Sequence, residues 1–163
     1  MQNAKDTFYL ALRDRLAALN PARTVQVRGA IRPAIVVMEN ELDQPAVAFL
    51  EAFVLTWKAV TIDSTEPMGL CSAVCEIDYA TRGTPELTGM DRGRVLDAMD
   101  RELGSILQPS TVAKQRFDVS PAVTMATQVF WSAPSFSATT IETDRIRRTA
   151  TVTLFALQEA GEA

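Results

Sequence analysis

Leu70-Cys71-Ser72-Ala73-Val74-Cys75-Glu76-Ile77-Asp78-Tyr79-Ala80-Thr81 is the stretch on which the fold class turns. Cys71, Ala73, Cys75, Ile77 and Tyr79 fall on one face of an extended chain, and Ser72, Glu76 and Asp78 on the other. Successive side chains of a strand point to opposite faces, so this alternation marks a sheet with one buried face. Residues 145–157 repeat the pattern, with Ile146, Ala150, Val152, Leu154 and Ala156 on one face and Thr149, Thr151 and Thr153 on the other.

Working outward, two stretches carry helical periods. Over 3–19, Phe8, Leu12, Leu16 and Leu19 recur three or four residues apart, with Asn3 as a candidate N-cap and Asn20-Pro21 as the stop. Over 91–107, Leu96, Met99, Leu103 and Leu107 form the stripe, widened by Val95 and Ile106, with Asp91 as cap and Pro109 as stop. Further strands are expected at Thr24–Arg28, at Ala34–Met38, from Phe53 to Val60 and over Ala122–Trp131, with Gly29 and Pro33 as punctuation between the first two. Residues 46–52 are open between helix and strand. Residues 38–42, 61–69 and 82–90 read as loops, 108–122 and 132–144 as long loops of the kind that carry function, and 158–163 as a frayed tail. The expectation is one α+β domain over residues 1–163: a mainly antiparallel sheet flanked by two helices, with long loops.

Composition narrows the chemistry. The chain of 163 residues has no histidine, which removes histidine triads and histidine metal sites. Sixteen Lys and Arg against twenty Asp and Glu give a net charge of −4, the wrong sign for a nucleic-acid-binding face. Lys5, Lys58 and Lys114 are the lysines; arginine, which suits fixed planar ion pairs, makes up the rest. Cys71 and Cys75, at strand spacing, lie roughly 13 Å apart, beyond the reach of a disulfide. They read as buried thiols, with a redox pair or a partner crosslink as alternatives. The N-terminus lacks a secretory signal, and Pro45–Val60, broken by Glu51 and Lys58, is too short for a membrane helix, so a soluble cytoplasmic product is expected.

Few residues suggest a site. Gly83-Thr84-Pro85 and Gly89–Gly93 precede a helix start where phosphate binds in other folds, but neither nucleotide fingerprint spacing is present, and a turn with a cap explains them. The carboxylate pairs Glu39/Glu41, Glu76/Asp78 and Asp97/Asp100 are the acid–base candidates; Asp97/Asp100, near Arg94 and Arg101, reads as a salt-bridged surface. Arg145, Arg147 and Arg148, beside Glu142 and Asp144, form either a subunit contact or a charged guard on an edge strand. Trp57 and Trp131 read as core or interface anchors. No catalytic residue, cofactor or metal ligand is assigned.

The layout resembles the tail terminator and related tail-completion proteins of long-tailed bacteriophages and phage-derived particles. The resemblance rests on the helix Phe8–Leu16, strands at Val25–Val27, Arg32–Val37, Phe53–Val60 and Cys75–Tyr79, the helix Asp91–Leu103 and the last strand Arg148–Phe155. Gln128-Val129-Phe130-Trp131-Ser132-Ala133-Pro134-Ser135-Phe136 is similar to a segment of proteins from phage-like gene clusters. The resemblance implies a structural virion protein, not an enzyme. It implies a ring, hexameric by analogy, at the head-proximal end of the tail, ending the tube and joining the neck. Its implied partners are further copies of itself, the tail tube protein and neck or connector proteins. Membrane and sequence-specific nucleic acid are not among them, although the genome would pass through the ring. Its place is the virion tail or neck, after assembly in the bacterial cytoplasm. Glu76, Asp78, Arg145, Arg147, Arg148 and Trp131 are the interface candidates, with the acidic pair and the arginines facing each other across subunits. Another neck or head-completion protein, a small carboxylate-dependent enzyme and a monomeric adaptor are the alternatives.

Overall fold

The computed structural model describes residues 1–40, 49–63, 68–159 and 162. Glu41 and Leu42, residues 46–48 of the ambiguous stretch, residues 64–67 of the 61–69 loop and residues 160, 161 and 163 of the tail lie outside the described residues.

The fold is α+β: two helices and a mostly antiparallel, curled sheet of eight strands. In chain order the elements are α1 (Gln2–Leu19), β1 (Thr24–Val27), β2 (Ala30–Pro33), β3 (Ile35–Val37), β4 (Phe53–Asp63), β5 (Leu70–Thr81), α2 (Arg92–Ile106), β6 (Thr111–Arg116), β7 (Val123–Trp131), β8 (Ser135–Phe136), β9 (Thr140–Ile141) and β10 (Ile146–Leu157). The sheet runs β3-β4-β5-β10-β7-β6, and β8 and β9 also pair with β10. Its spine is the β5–β10 ladder, in register from Leu70↔Leu157 to Thr81↔Ile146. One strand pair departs from the antiparallel expectation, because β3 runs parallel to β4.

The inward face of the spine is closed by the helices. Phe8, Leu12 and Leu16 of α1 are fully buried, as are Met99 and Leu103 of α2, together with Cys75, Ile77, Ala150 and Leu154 from the sheet. Phe8 meets Trp131 edge-on at 5.1 Å and Trp57 at 6.0 Å. Leu19, expected on the apolar stripe, is 51% exposed, because it lies in the last turn of α1 beyond the sheet's cover. Both thiols are free and buried, and burial pushes the Cys75 thiol up to about 12.

Several local expectations are corrected. Gly29–Pro33 is mostly strand: β2 pairs with β1 through a two-residue turn in which Arg28 (φ 48°) and Gly29 (φ 82°) are both left-handed, the geometry of a tight hairpin. β4 continues past Val60 to Asp63, and residues 108–122 contain β6 instead of forming one loop. Residues 132–144 contain β8 and β9, which complete the pairing of β10 where β7 has left it. Asn3 does not cap α1; its side-chain oxygen accepts the Phe117 N–H just past β6. Thr7 does the same for the Gln115 N–H at 2.9 Å, so α1 closes the outer edge of the sheet with side chains.

The described residues of the tail, Gln158, Glu159 and Glu162, are tied down instead of frayed. Lys114, 1% exposed, sits at an irregularity in β6 that turns it inward. Its ammonium donates to the Leu157 carbonyl and to the Glu162 carboxylate, both at 2.6 Å. Gln158 N–H donates to the Gly69 carbonyl, and the Glu159 carboxylate accepts the Thr127 N–H at 2.7 Å and its hydroxyl at 2.6 Å.

Candidate interaction surface

Both helices pack on one face of the sheet; the opposite face is its outer one. β5 and β10 present to it Ser72, Val74, Glu76 and Asp78 opposite Phe155, Thr153, Thr151 and Thr149. All eight are half-buried, so the face is accessible along its length.

Glu76 and Asp78 do share this face, and each meets its own cation. Glu76 pairs with Lys58 at 3.1 Å, and Lys58 occupies the bulge in β4 that aims it outward. Asp78 accepts from Arg147 at 3.0 Å and from the Thr149 hydroxyl at 2.6 Å. Arg147 also reaches Glu142 at 3.5 Å. Asp78 and Arg147 are therefore complementary within one chain, on adjacent strands, while Glu76 is paired with Lys58.

The three arginines are not one patch. Arg145 pairs with Glu142 and Asp144 at 3.1 and 3.0 Å, and Asp144 also accepts Arg82. Those two arginines hold the Asp144 carboxyl below its usual range. Arg148 points the other way, as strand alternation requires. It pairs with Asp100 of α2, which also accepts the Tyr79 hydroxyl, and it donates to Thr139 at 2.6 Å. Burial, followed by the bond to Asp100, pushes the Tyr79 phenol well above its ordinary value. Asp100 is thus a tie between helix and sheet, and only Asp97 makes the expected surface pair, with Arg101 at 2.9 Å. Of the two readings of Trp131, core or interface anchor, the structure places it in the core: it is 3% exposed, donates its indole N–H to the Leu107 carbonyl at 3.1 Å, and carries the Arg15 guanidinium over its ring at 4.9 Å.

The other candidates have structural occupants. At the start of α2, Asp91 caps no helix N–H. Its carboxylate turns back to the Thr84 N–H and hydroxyl, both at 2.9 Å, and fills the space in front of Gly83, where a Cβ would lie 2.5 Å from it. Burial pushes that carboxyl up, and the Thr84 bonds outweigh it, so it stays ionised below its usual range. A phosphate would meet this resident negative charge. Glu39 pairs with Lys5 at 3.2 Å. The open groove at the ends of α1 and α2 contains Arg15, whose guanidinium is spent on the Ile106 and Gln108 carbonyls and the Ser110 hydroxyl. Among the described residues, no three metal-ligating side chains cluster, and no helix is long and apolar enough to cross a membrane.

The outer face also holds residues that the sequence reading passed over. Phe130 of β7 and Phe155 of β10 lie opposite each other and stack, ring centroids 5.2 Å apart. Leu157 and Leu70, themselves a cross-strand pair, follow along the same face. Phe130, Leu70 and Leu157 are 37–39% exposed. The signal for them was present: Phe155 interrupts the outward series Thr149, Thr151, Thr153, where an aromatic side chain gains nothing from water. No protein-family model matches the chain, and no curated protein does.

Proposed function

We propose that the chain is a structural subunit that assembles with copies of itself into a ring at the head-proximal end of a phage or phage-like tail. There it ends the tail tube and joins it to the neck. The observation that carries this reading is the outer sheet face, where the stacked Phe130–Phe155 pair runs into Leu70 and Leu157, and among the described residues no element lies upon it. Contiguous exposed apolar surface rimmed by polar groups is what interaction sites share. Here the rim is the ionic row of Lys58, Glu76, Asp78 and Arg147. Such a subunit needs anchors and register, not a reacting group. The layout's resemblance to tail-completion proteins supplies the ring and the tail.

The test is native mass spectrometry and negative-stain microscopy of the purified chain over a concentration series, alone and with a phage tail tube protein. A closed ring, six copies by analogy, is expected. A chain that stays monomeric under all these conditions overturns the reading. Phe130→Ser with Phe155→Ser is expected to keep the melting temperature near that of the parent while weakening assembly.

A further inference from the structure

Two strands leave the body of the sheet with one edge that, among the described residues, no other strand covers. Beyond its bulge, β4 is exposed at every residue from Lys58 to Asp63, including Val60 at 46% and Ile62 at 55%. β5 covers one edge there, but β3 stops level with Leu55, and among the described residues no strand covers the other edge. β7 is the second case. Its pairing with β10 ends at Val129↔Ala156, while β6 continues along its far side to Val123. Ala59-Val60-Thr61-Ile62 and Val123-Thr124-Met125-Ala126-Thr127 contain no charge, proline or glycine. Native edges normally carry such residues to prevent pairing, and β-branched residues favour it. One further detail shows what the β7 edge wants: the Thr127 N–H, on the bare side, donates to the Glu159 carboxylate, which stands where a neighbouring strand's carbonyl would.

We propose that a second copy lays its Ala59–Ile62 segment along Val123–Thr127, displacing Glu159, so that adjacent copies share one continuous sheet. The occupant follows from the pair of edges. They are different surfaces of one chain, so joining one to the other is heterologous; it repeats from copy to copy, which is the contact a ring requires. Pairing β7 with itself would stop at a twofold dimer. The inference rests on the ring-subunit reading and specifies its contact.

Disulfide trapping tests it. Cys71 and Cys75 are buried, so the parent chain serves as the uncrosslinked control. Thr61→Cys is paired in turn with Thr124→Cys, Ala126→Cys and Gln128→Cys, under mild oxidation of the full chain. Each single variant alone is expected to stay uncrosslinked. A mixture of Thr61→Cys with the variant in register should give one covalent dimer, and the corresponding double variant a ladder of multimers. Val60→Lys with Ile62→Lys should weaken self-association about tenfold or more at unchanged circular dichroism. Glu159→Ala should strengthen it, the opposite of what loss of a structural contact would do. Rings that form while no pair crosslinks overturn this contact and leave the ring reading standing. Self-crosslinking of a β7 variant replaces it with a dimer. A monomer at every concentration overturns both.

Discussion

The β5–β10 ladder and the β6–β7 hairpin are both antiparallel pairs in one sheet, yet they are held by different physics. The ladder runs in register through twelve residues of each strand, and its inward side chains are sealed by two helices. The hairpin has a register irregularity, loses its β10 neighbour after Val129, and keeps its outer edge satisfied by single atoms of Thr7 and Asn3. Stability in the first region comes from area removed from water and is spread over many residues. In the second it rests on a few polar contacts, each of which can be removed singly.

The comparison predicts a steep gradient of mutational cost. Leu154→Ala, at the buried centre of β10 opposite Ala73 and Trp131, should cost about 3 kcal/mol through lost burial and a cavity. Urea denaturation measures it, and a cost below about 1 kcal/mol would show that the ladder is not the stabilising centre. Lys114→Met leaves Glu162 without its cation and should cost about 2 kcal/mol. The double-mutant cycle with Glu162→Gln should recover most of that cost as coupling. Thr7→Val keeps the shape of α1 and removes the acceptor for the Gln115 N–H, for about 1 kcal/mol. Hydrogen exchange should quicken at Gln115 and stay unchanged at Val152.

The same difference explains what was legible from the sequence. Leu70–Thr81 and 146–157 show their period because one face is buried and the other is not. In Thr111–Arg116 the inward positions are taken by Val112 and by Lys114, a residue that reads as solvent-facing until a bulge and two carboxylates bury it. The strand at β6 is therefore invisible to a search for apolar alternation. β8 and β9, two residues each, are too short to show any period. Of the interface candidates, Glu76 and Asp78 were legible as sharing a face. That Arg147 joins them while Arg148 turns to Asp100 follows from alternation but needed the register of β10 against β5. Trp131 illustrates the remaining ambiguity, because a large aromatic at an inward strand position looks the same in sequence whether its own chain or another covers it.

The smallest effect is also the one that separates the two regions most cleanly. The Glu159 carboxyl is held below its ordinary value by the Thr127 hydroxyl and amide, against the cost of burial. Burial pushes Glu162 up, but the Glu159 N–H and the Lys114 ammonium outweigh it and the net shift is downward. Both groups are depressed in the folded chain. Their contribution is thus fully present above the ordinary glutamate value of 4.5 and is lost as pH falls through the lower folded values. Between neutrality and pH 5 nothing should change. Below that range the tail should let go of β7 and β6, while the inward face of the ladder, which carries no carboxylate at Cys71, Ala73, Cys75, Ile77, Ala150, Val152 or Leu154, keeps its packing. Amide resonances of Thr127 and Gln158 followed from pH 7 to pH 3 should titrate together with a midpoint below 4.5, and those of Cys75 and Val152 should not move with them. A midpoint at or above the ordinary glutamate value would mean that the tail is not bound through these carboxylates, and the β7 edge would then be open without any displacement.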